Sequence, residues 1–469
     1  MCYRILYYMI KHLPYLILAS VFSLFLSCSS EQTRSETYFG GKIINPKSNY
    51  VVLHSMQEVI DTLFLKKDNT FLGKLQNPNE GLYYFTHGNE NQFIYLEPQD
   101  SLMLRLNTWY FDESIVYAGR GAERNNILID CFLEDEKDNQ IFYKLNLLEP
   151  EKFQATTDSL LRLKLNTYND YIAKNPNETP EFRHILKTAL TYPVFAKIER
   201  YPVAHSKIGH KTVSTEINQT FYNHRKSIRI NNDSLMYFPP HLKYVGNYLY
   251  NITYELGHSP RKYEYTSDFT VDLLMNIEKK LTSQEFKNTF LKQTVIGHFY
   301  RRSSCKVHQE TFDIFFKLST DGQDKKLVQQ LLSDSKLVKK GQRLTDFKIT
   351  NYNNRHNSIK KLIKNKSTFL FFWNPVYVSP EYISSRVNYL TQQFPQVQFI
   401  QIQINDNFNK TIPELDIKNQ YFITPNSDAN QFLTSKMPRG IILNNKGMIT
   451  NGFASISSKK LQKELERLK

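Results

Sequence analysis

Apolar residues change their spacing twice along this chain, and each change marks a change of architecture. In the first stretch they come in short alternating runs, at 42–44, 50–53, 62–65, 70–71, 82–85, 92–96 and 101–106. Between the runs stand Asn45-Pro46, Lys67-Asp68-Asn69, Asn77-Pro78-Asn79 and Pro98-Gln99-Asp100, which carry turn chemistry. A period of two with frequent turns predicts an antiparallel β-sandwich or barrel of roughly 80 residues. From Asn126 to about Lys340 the period lengthens. Leu161, Leu165, Tyr168 and Ile172 lie on one helix face, Thr179-Pro180-Glu181 starts another helix, and Thr282 with Glu285 forms a capping box ahead of Phe286 and Phe290. Pro193 and Pro202 are expected to break or kink the helix after Thr179.

Past residue 341 the pattern changes again. Ser367-Thr-Phe-Leu-Phe-Phe-Trp373 is nearly unbroken apolar sequence, which predicts a central parallel strand buried on both faces. After Asn374-Pro375 comes a helix whose apolar face is Ile383, Val387, Leu390 and Phe394. Ser379, Pro380 and Glu381 supply its N-cap, first-turn proline and first-turn acid. The whole is therefore a multidomain α+β chain: a β-sandwich over 38–122, an α-helical domain over 123–340, and an α/β domain over 341–469.

The last of these carries a resemblance. Gly341, Asp346-Phe347, Phe371-Phe372-Trp373, the strand at 397–404, Met437-Pro438 before Ile441-Ile442-Leu443, and Lys446-Gly447 together resemble a thioredoxin-like domain of the TlpA/ResA type. The resemblance covers about the last quarter of the chain. It implies a redox pair four and seven residues after the tryptophan, where this sequence has Tyr377 and Pro380. Such chemistry needs a thiolate at a helix N-terminus and a second thiol to resolve the mixed disulfide. No cysteine follows Cys305. The expectation is a thioredoxin fold kept without catalytic residues, cofactor or metal, whose groove binds a protein or extended peptide. By the same resemblance Pro438 stands where the family has a cis-proline, and Trp373, Tyr377, Pro380, Pro438 and Arg439 would line the groove. The alternative is a thiol-disulfide oxidoreductase or peroxide-handling enzyme using a displaced thiol, Cys305 beside Arg301 and Arg302, or Cys131. The β-rich stretch similarly resembles the all-β domain of unassigned function that precedes such domains, notably at 95–102 and 111–114.

The beginning of the chain sets the compartment. Residues 1–27 hold Arg4 and Lys11, no acid, and an apolar run ending in Leu26-Ser27-Cys28-Ser29, which reads as a signal peptide. Cys28 matches the lipidation site of bacterial lipoproteins, so the chain is expected to be exported and held in the envelope, at the outer membrane, through its N-terminal lipid. Residues 28–37 would be the tether. The formal net charge is +15. On an exported protein with scattered lysines this reads as a solvated basic surface, with no nucleic-acid partner. Gly119-Arg-Gly121 lacks the third glycine of a dinucleotide fingerprint and reads as a turn. His205 and His210, with His184, His224 and His241 nearby, have poor spacing for zinc and read as surface or capping residues.

Overall fold

Each alternating run of the N-terminal stretch is a strand in the computed structural model, which describes residues 36–56, 58–209, 217, 219–259, 266–302, 308–375, 378–404, 411–432 and 438–468. The strands are β1 Glu36–Ile44, β2 Tyr50–His54, β3 Val59–Phe64, β4 Thr70–Gln76, β5 Gly81–His87, β6 Glu90–Leu96, β7 Ser101–Asn107 and β8 Val116–Ala118. They form two four-stranded sheets, β4-β1-β7-β8 and β3-β2-β5-β6. Phe39 of the first meets Phe85 of the second at 5.7 Å between ring centroids, so the inner faces share one core. The expectation of an all-antiparallel sandwich is corrected at one pair. β1 and β7 run parallel, with Phe39 opposite Leu102. A period of two sets which face of a strand is buried and leaves its partner and direction open.

The glycine pair ends this region as a turn. Gly119 and Gly121 have φ of +86° and +92°, a left-handed conformation that glycine adopts without strain. A Cβ on Gly121 would stand 2.7 Å from Asp100 Oδ2, and both oxygens of that carboxylate accept from Arg124 Nη2, at 2.7 and 2.8 Å. The first helix, α1 Ala122–Leu145, starts before Asn125 and Asn126. Their side chains bond to the backbones of Tyr95 and Tyr117.

The described residues divide into two compact units between Ile129 and Asp130. In the second, helices α2 Pro150–Lys174, α3 Pro180–Gly209, α4 Pro239–Tyr254, α5 Ser267–Lys280, α6 Gln284–Arg302, α7 Gln309–Leu318 and α8 Gly322–Leu337 follow one another. Phe182 N–H donates to Thr179 Oγ1 at 3.1 Å, the N-terminal bond that the sequence predicts for α3. That helix runs through both Pro193 and Pro202 without ending. Its buried residues, among them Ile185, Leu186, Val194 and Tyr201, hold it on both sides of each proline, and tertiary packing outweighs the lost backbone bonds.

The same unit ends in a seven-stranded sheet of order β10-β9-β13-β12-β11-β14-β15. Its strands are β9 Lys348–Asn351, β10 His356–Ser358, β11 Ser367–Trp373, β12 Val397–Gln403, β13 Gln420–Phe422, β14 Arg439–Leu443 and β15 Ile449–Ala454, with helices α9 Ile359–Leu362, α10 Pro380–Gln393 and α11 Lys459–Glu466. All seven residues of β11 are buried. It pairs parallel with β12 and antiparallel with β14, and its side chains alternate between two cores. Phe369, Phe371 and Trp373 pack with Ile383, Val387 and Leu390 of α10 and with Leu461 and Leu465 of α11. Leu370 and Phe372 face Ile359, Phe432 and Ile441. A parallel β-α-β pair followed by an antiparallel hairpin and a closing helix is the thioredoxin-like arrangement. The fold class read from the sequence is therefore present, as an N-terminal β-rich region, a helical middle and a C-terminal sheet.

Close packing on this sheet makes one position intolerant. A Cβ on Gly440 would stand 2.5 Å from Phe369 Cζ and 3.1 Å from the Ala454 carbonyl oxygen, and the Phe369 ring is fully buried. Gly440→Ala is expected to lose about 1–3 kcal/mol of stability through overpacking, measured by urea unfolding. An unchanged midpoint would show that the strand pair β14-β15 can spread.

Candidate binding site at the end of the central strand

Three pieces converge where β11 ends. Antiparallel register sets Phe372 opposite Arg439, so Pro438, one residue earlier, lies level with Trp373. Next comes the turn into α10, in which Val378 N–H donates to the Asn374 carbonyl at 3.2 Å. Ser379 Oγ accepts from Tyr382 N–H at 3.2 Å, and Pro380 occupies the first turn. The first helical turn that stands at the end of the central strand is largely closed, because Pro380 carries no N–H and the Tyr382 N–H is taken by Ser379.

The expected groove residues are distributed unevenly. Pro380 and Pro438 are half-buried. Trp373 is only 3% exposed and packs in the core beneath α10, so it supports the turn from below. Its carbonyl accepts from Ile404 N–H at 2.8 Å, closing the end of the sheet. Tyr377 lies outside the described residues. Arg439 corrects the expectation most clearly, because its guanidinium does not reach a groove. It is buried on the opposite face, donating from Nη1 to Asp334 Oδ2 at 2.5 Å and to the Phe432 carbonyl at 2.7 Å, and from Nε to the Gly452 carbonyl at 2.9 Å. The Phe453 ring lies 4.2 Å from its centre. Asp334 belongs to α8, so this cluster joins the sheet to the helices. With the Phe299–Phe453 ring contact at 5.4 Å, it explains why the two regions read separately from the sequence form one unit.

Of the thiols, Cys131 is a free cysteine buried in α1. Burial pushes its pKa up to about 12, against a smaller opposing pull from Lys164. A thiol held so far from ionisation is a poor nucleophile at neutral pH. Cys28 and Cys305 lie outside the described residues.

The histidine expectation also changes. His205, His224 and His241 are not surface residues. His205 Nδ1 is 2.8 Å from the Asn146 carbonyl, and His241 is fully buried, with its pKa lowered to about 4 by burial. His224 Nε2 is 2.9 Å from Glu199 Oε1. His210 lies outside the described residues. Among the described residues no group of three or more His, Cys, Asp or Glu is placed to hold a metal, and no helix is long and apolar enough to cross a membrane.

Sequence reasoning passed over Glu199 itself. Its carboxylate, wholly buried, accepts from Arg225 Nε at 2.8 Å and Nη2 at 2.6 Å and from Asn251 Nδ2 at 2.8 Å, besides meeting His224. One signal was available. Tyr192, Ala196 and Glu199 recur at four and three residues, which puts an acid on an otherwise apolar helix face.

No protein-family model matches this chain, and no curated protein matches it. Solved structures do. A thioredoxin-like protein from Bacteroides caccae matches over 47% of this chain and 93% of its own, with 10% identity and a TM-score of 0.28. The thioredoxin domain of a thiol-disulfide oxidoreductase from Bacteroides vulgatus matches over 27% of this chain and 96% of its own, with 14% identity and a TM-score of 0.22.

Proposed function

We propose that this is a lipid-anchored envelope protein whose thioredoxin-like region binds an extended peptide or protein segment and does no redox chemistry. The observation that carries the reading is the composition of the helix start. At α10 the hydroxyl of Ser379 caps the helix, and Pro380 stands at one of the two positions where the family resemblance calls for a thiol. Ser379 cannot replace a thiolate in disulfide exchange, which requires attack of sulfur on sulfur. Cys131, buried with a raised pKa, supplies no substitute. What is retained is the end of a sheet with a half-buried proline beside it, a setting in which backbone pairing holds an extended chain. Export and anchoring rest on the sequence of residues 1–28.

Disulfide-reductase turnover tests this directly. The chain from Ser29 onward is expected to match the uncatalysed rate, as are its Cys305→Ser and Cys131→Ser variants. Turnover by the parent that disappears in Cys305→Ser would overturn the reading and assign the reaction to a displaced thiol.

A further inference from the structure

A second surface lies in the N-terminal unit, at one end of the β-sandwich. Strands β1 and β7 run parallel with Ile44 opposite Asn107, so both finish at this end, and Glu36 at the start of β1 lies at the other. The turn 45–49 leads from β1 to Tyr50 at the start of β2, and Tyr50 stands opposite Phe64, the last residue of β3. Four large rings therefore gather at this end, and all are exposed: Trp109 at 69%, Phe64 at 66%, Tyr110 at 65% and Tyr50 at 41%.

A built turn holds two of these rings outward. Asn107 Oδ1 accepts from Asn45 Nδ2 at 3.1 Å and from Trp109 N–H at 3.2 Å. Thr108 Oγ1 donates to the Asn45 carbonyl, and Ser114 Oγ accepts from Asn107 N–H at 2.7 Å. Phe111, the next aromatic residue, turns inward and meets Phe85 at 6.1 Å between ring centroids. The segment thus commits one ring to the core and leaves Trp109 and Tyr110 outside. Tyr50 and Phe64 brace each other in an edge contact at 6.3 Å. Rings already held in place lose little freedom when something covers them. Charge gives a partner no sign to follow here, because the turns 45–49, 65–69 and 108–115 hold Lys47, Lys66 and Lys67 against Asp68, Asp112 and Glu113.

Rings with an apolar body and a polar N–H or O–H suit the headgroup boundary of a bilayer, where tryptophan and tyrosine collect. We infer that this end of the sandwich inserts Trp109 and Tyr110, flanked by Phe64 and Tyr50, into the headgroup region of the bilayer that carries the lipid anchor. Which bilayer it is rests on the export and lipidation proposed above; insertion itself does not. The eight residues 28–35 span at most about 28 Å, close to the rise of about 30 Å over the nine residues of β1. A domain lying along the surface therefore brings its far end to the same bilayer. Tethering raises the effective concentration of that end, so weak insertion is enough.

Phosphatidylcholine vesicles test the inference, because a neutral lipid does not attract a chain of net charge +15 by charge alone. The chain from Ser29 onward is expected to co-sediment with them at millimolar lipid, equally at low and high salt. Its tryptophan emission should shift to the blue and be quenched by brominated acyl chains, through Trp109, since Trp373 is already buried. Changing both exposed rings, Trp109→Ala with Tyr110→Ala, leaves the core intact and is expected to weaken partitioning at least tenfold. Tyr143→Ala, which removes a ring 68% exposed in the second unit, should bind like the parent. No co-sedimentation by the parent, or undiminished binding by the double variant, would overturn the inference. So would self-association of the parent in lipid-free buffer that the double variant loses, which would assign the rings to a second copy. The intact mass of the chain extracted from the envelope, with or without lipid on Cys28, checks the anchor separately.

Discussion

Asp334→Ala is expected to lower the unfolding free energy of the second unit by about 3–5 kcal/mol, the loss typical of removing one partner from a buried ion pair. The carboxylate is fully buried and its partner, the Arg439 side chain, is 2% exposed. Burial alone pushes the Arg439 pKa down, and Asp334 opposes that shift. Without the carboxylate the guanidinium keeps the Phe432 and Gly452 carbonyls, which are dipoles and cannot neutralise it. Water is the other recourse, and reaching it means opening the contact between α8 and the sheet. The effect is therefore local to that junction and large. Trp373 reports on it, being buried in β11, provided Trp109, the other tryptophan and 69% exposed, is first changed to phenylalanine. A urea titration followed by Trp373 fluorescence should show an earlier midpoint. The double variant Asp334→Leu with Arg439→Met removes both charges and should recover much of the loss. A loss below about 1 kcal/mol in the single variant would mean the pair is hydrated and does not join the two regions.

Glu199→Ala is expected to be comparably damaging, by about 3–5 kcal/mol, and to change the response to acid. Among the described residues the substitution leaves Arg225 with only the exposed Glu255, at 3.3 Å, as a charge partner. Asn251 also loses an acceptor in a fully buried position. Burial by itself pushes the Glu199 carboxyl up, yet the hydrogen bonds from Arg225 and His224 outweigh it and hold the pKa below the ordinary 4.5. A carboxylate with a lowered folded pKa contributes its full stabilisation above the ordinary value and loses it as pH falls through the folded one. The parent should accordingly lose stability in acid below about pH 4.5, and Glu199→Ala should lose less over the same interval because its share is already gone. Asp135 shares this sign: burial pushes its pKa up, but Lys197 and Lys243 outweigh that and hold it below the ordinary aspartate range. It will therefore leave a residual slope in the variant. Equal slopes for parent and variant between pH 5 and 3 would refute the assignment to Glu199.

These two clusters also separate what was readable in the chain from what was not. Local pattern alone determined seven of the eight strands of the first unit and the helical character of the middle of the chain. It also determined the central strand at 367–373 and the capped helix after it, because each depends on residues within a few positions of one another. The missing cysteines were equally plain, since a thiol that the sequence lacks cannot be restored by folding. Three things were decided only by the tertiary structure. The parallel pairing of β1 with β7 joins strands some sixty residues apart, and alternation has no memory of direction. Arg439 looked like a groove residue from its place beside Pro438, but its partner Asp334 lies 105 residues away, so its burial depended on a contact outside any sequence window. Glu199, His205, His224 and His241 became interior residues for the same reason. A polar side chain is buried when distant groups satisfy its hydrogen bonds, and only the folded chain brings those groups together.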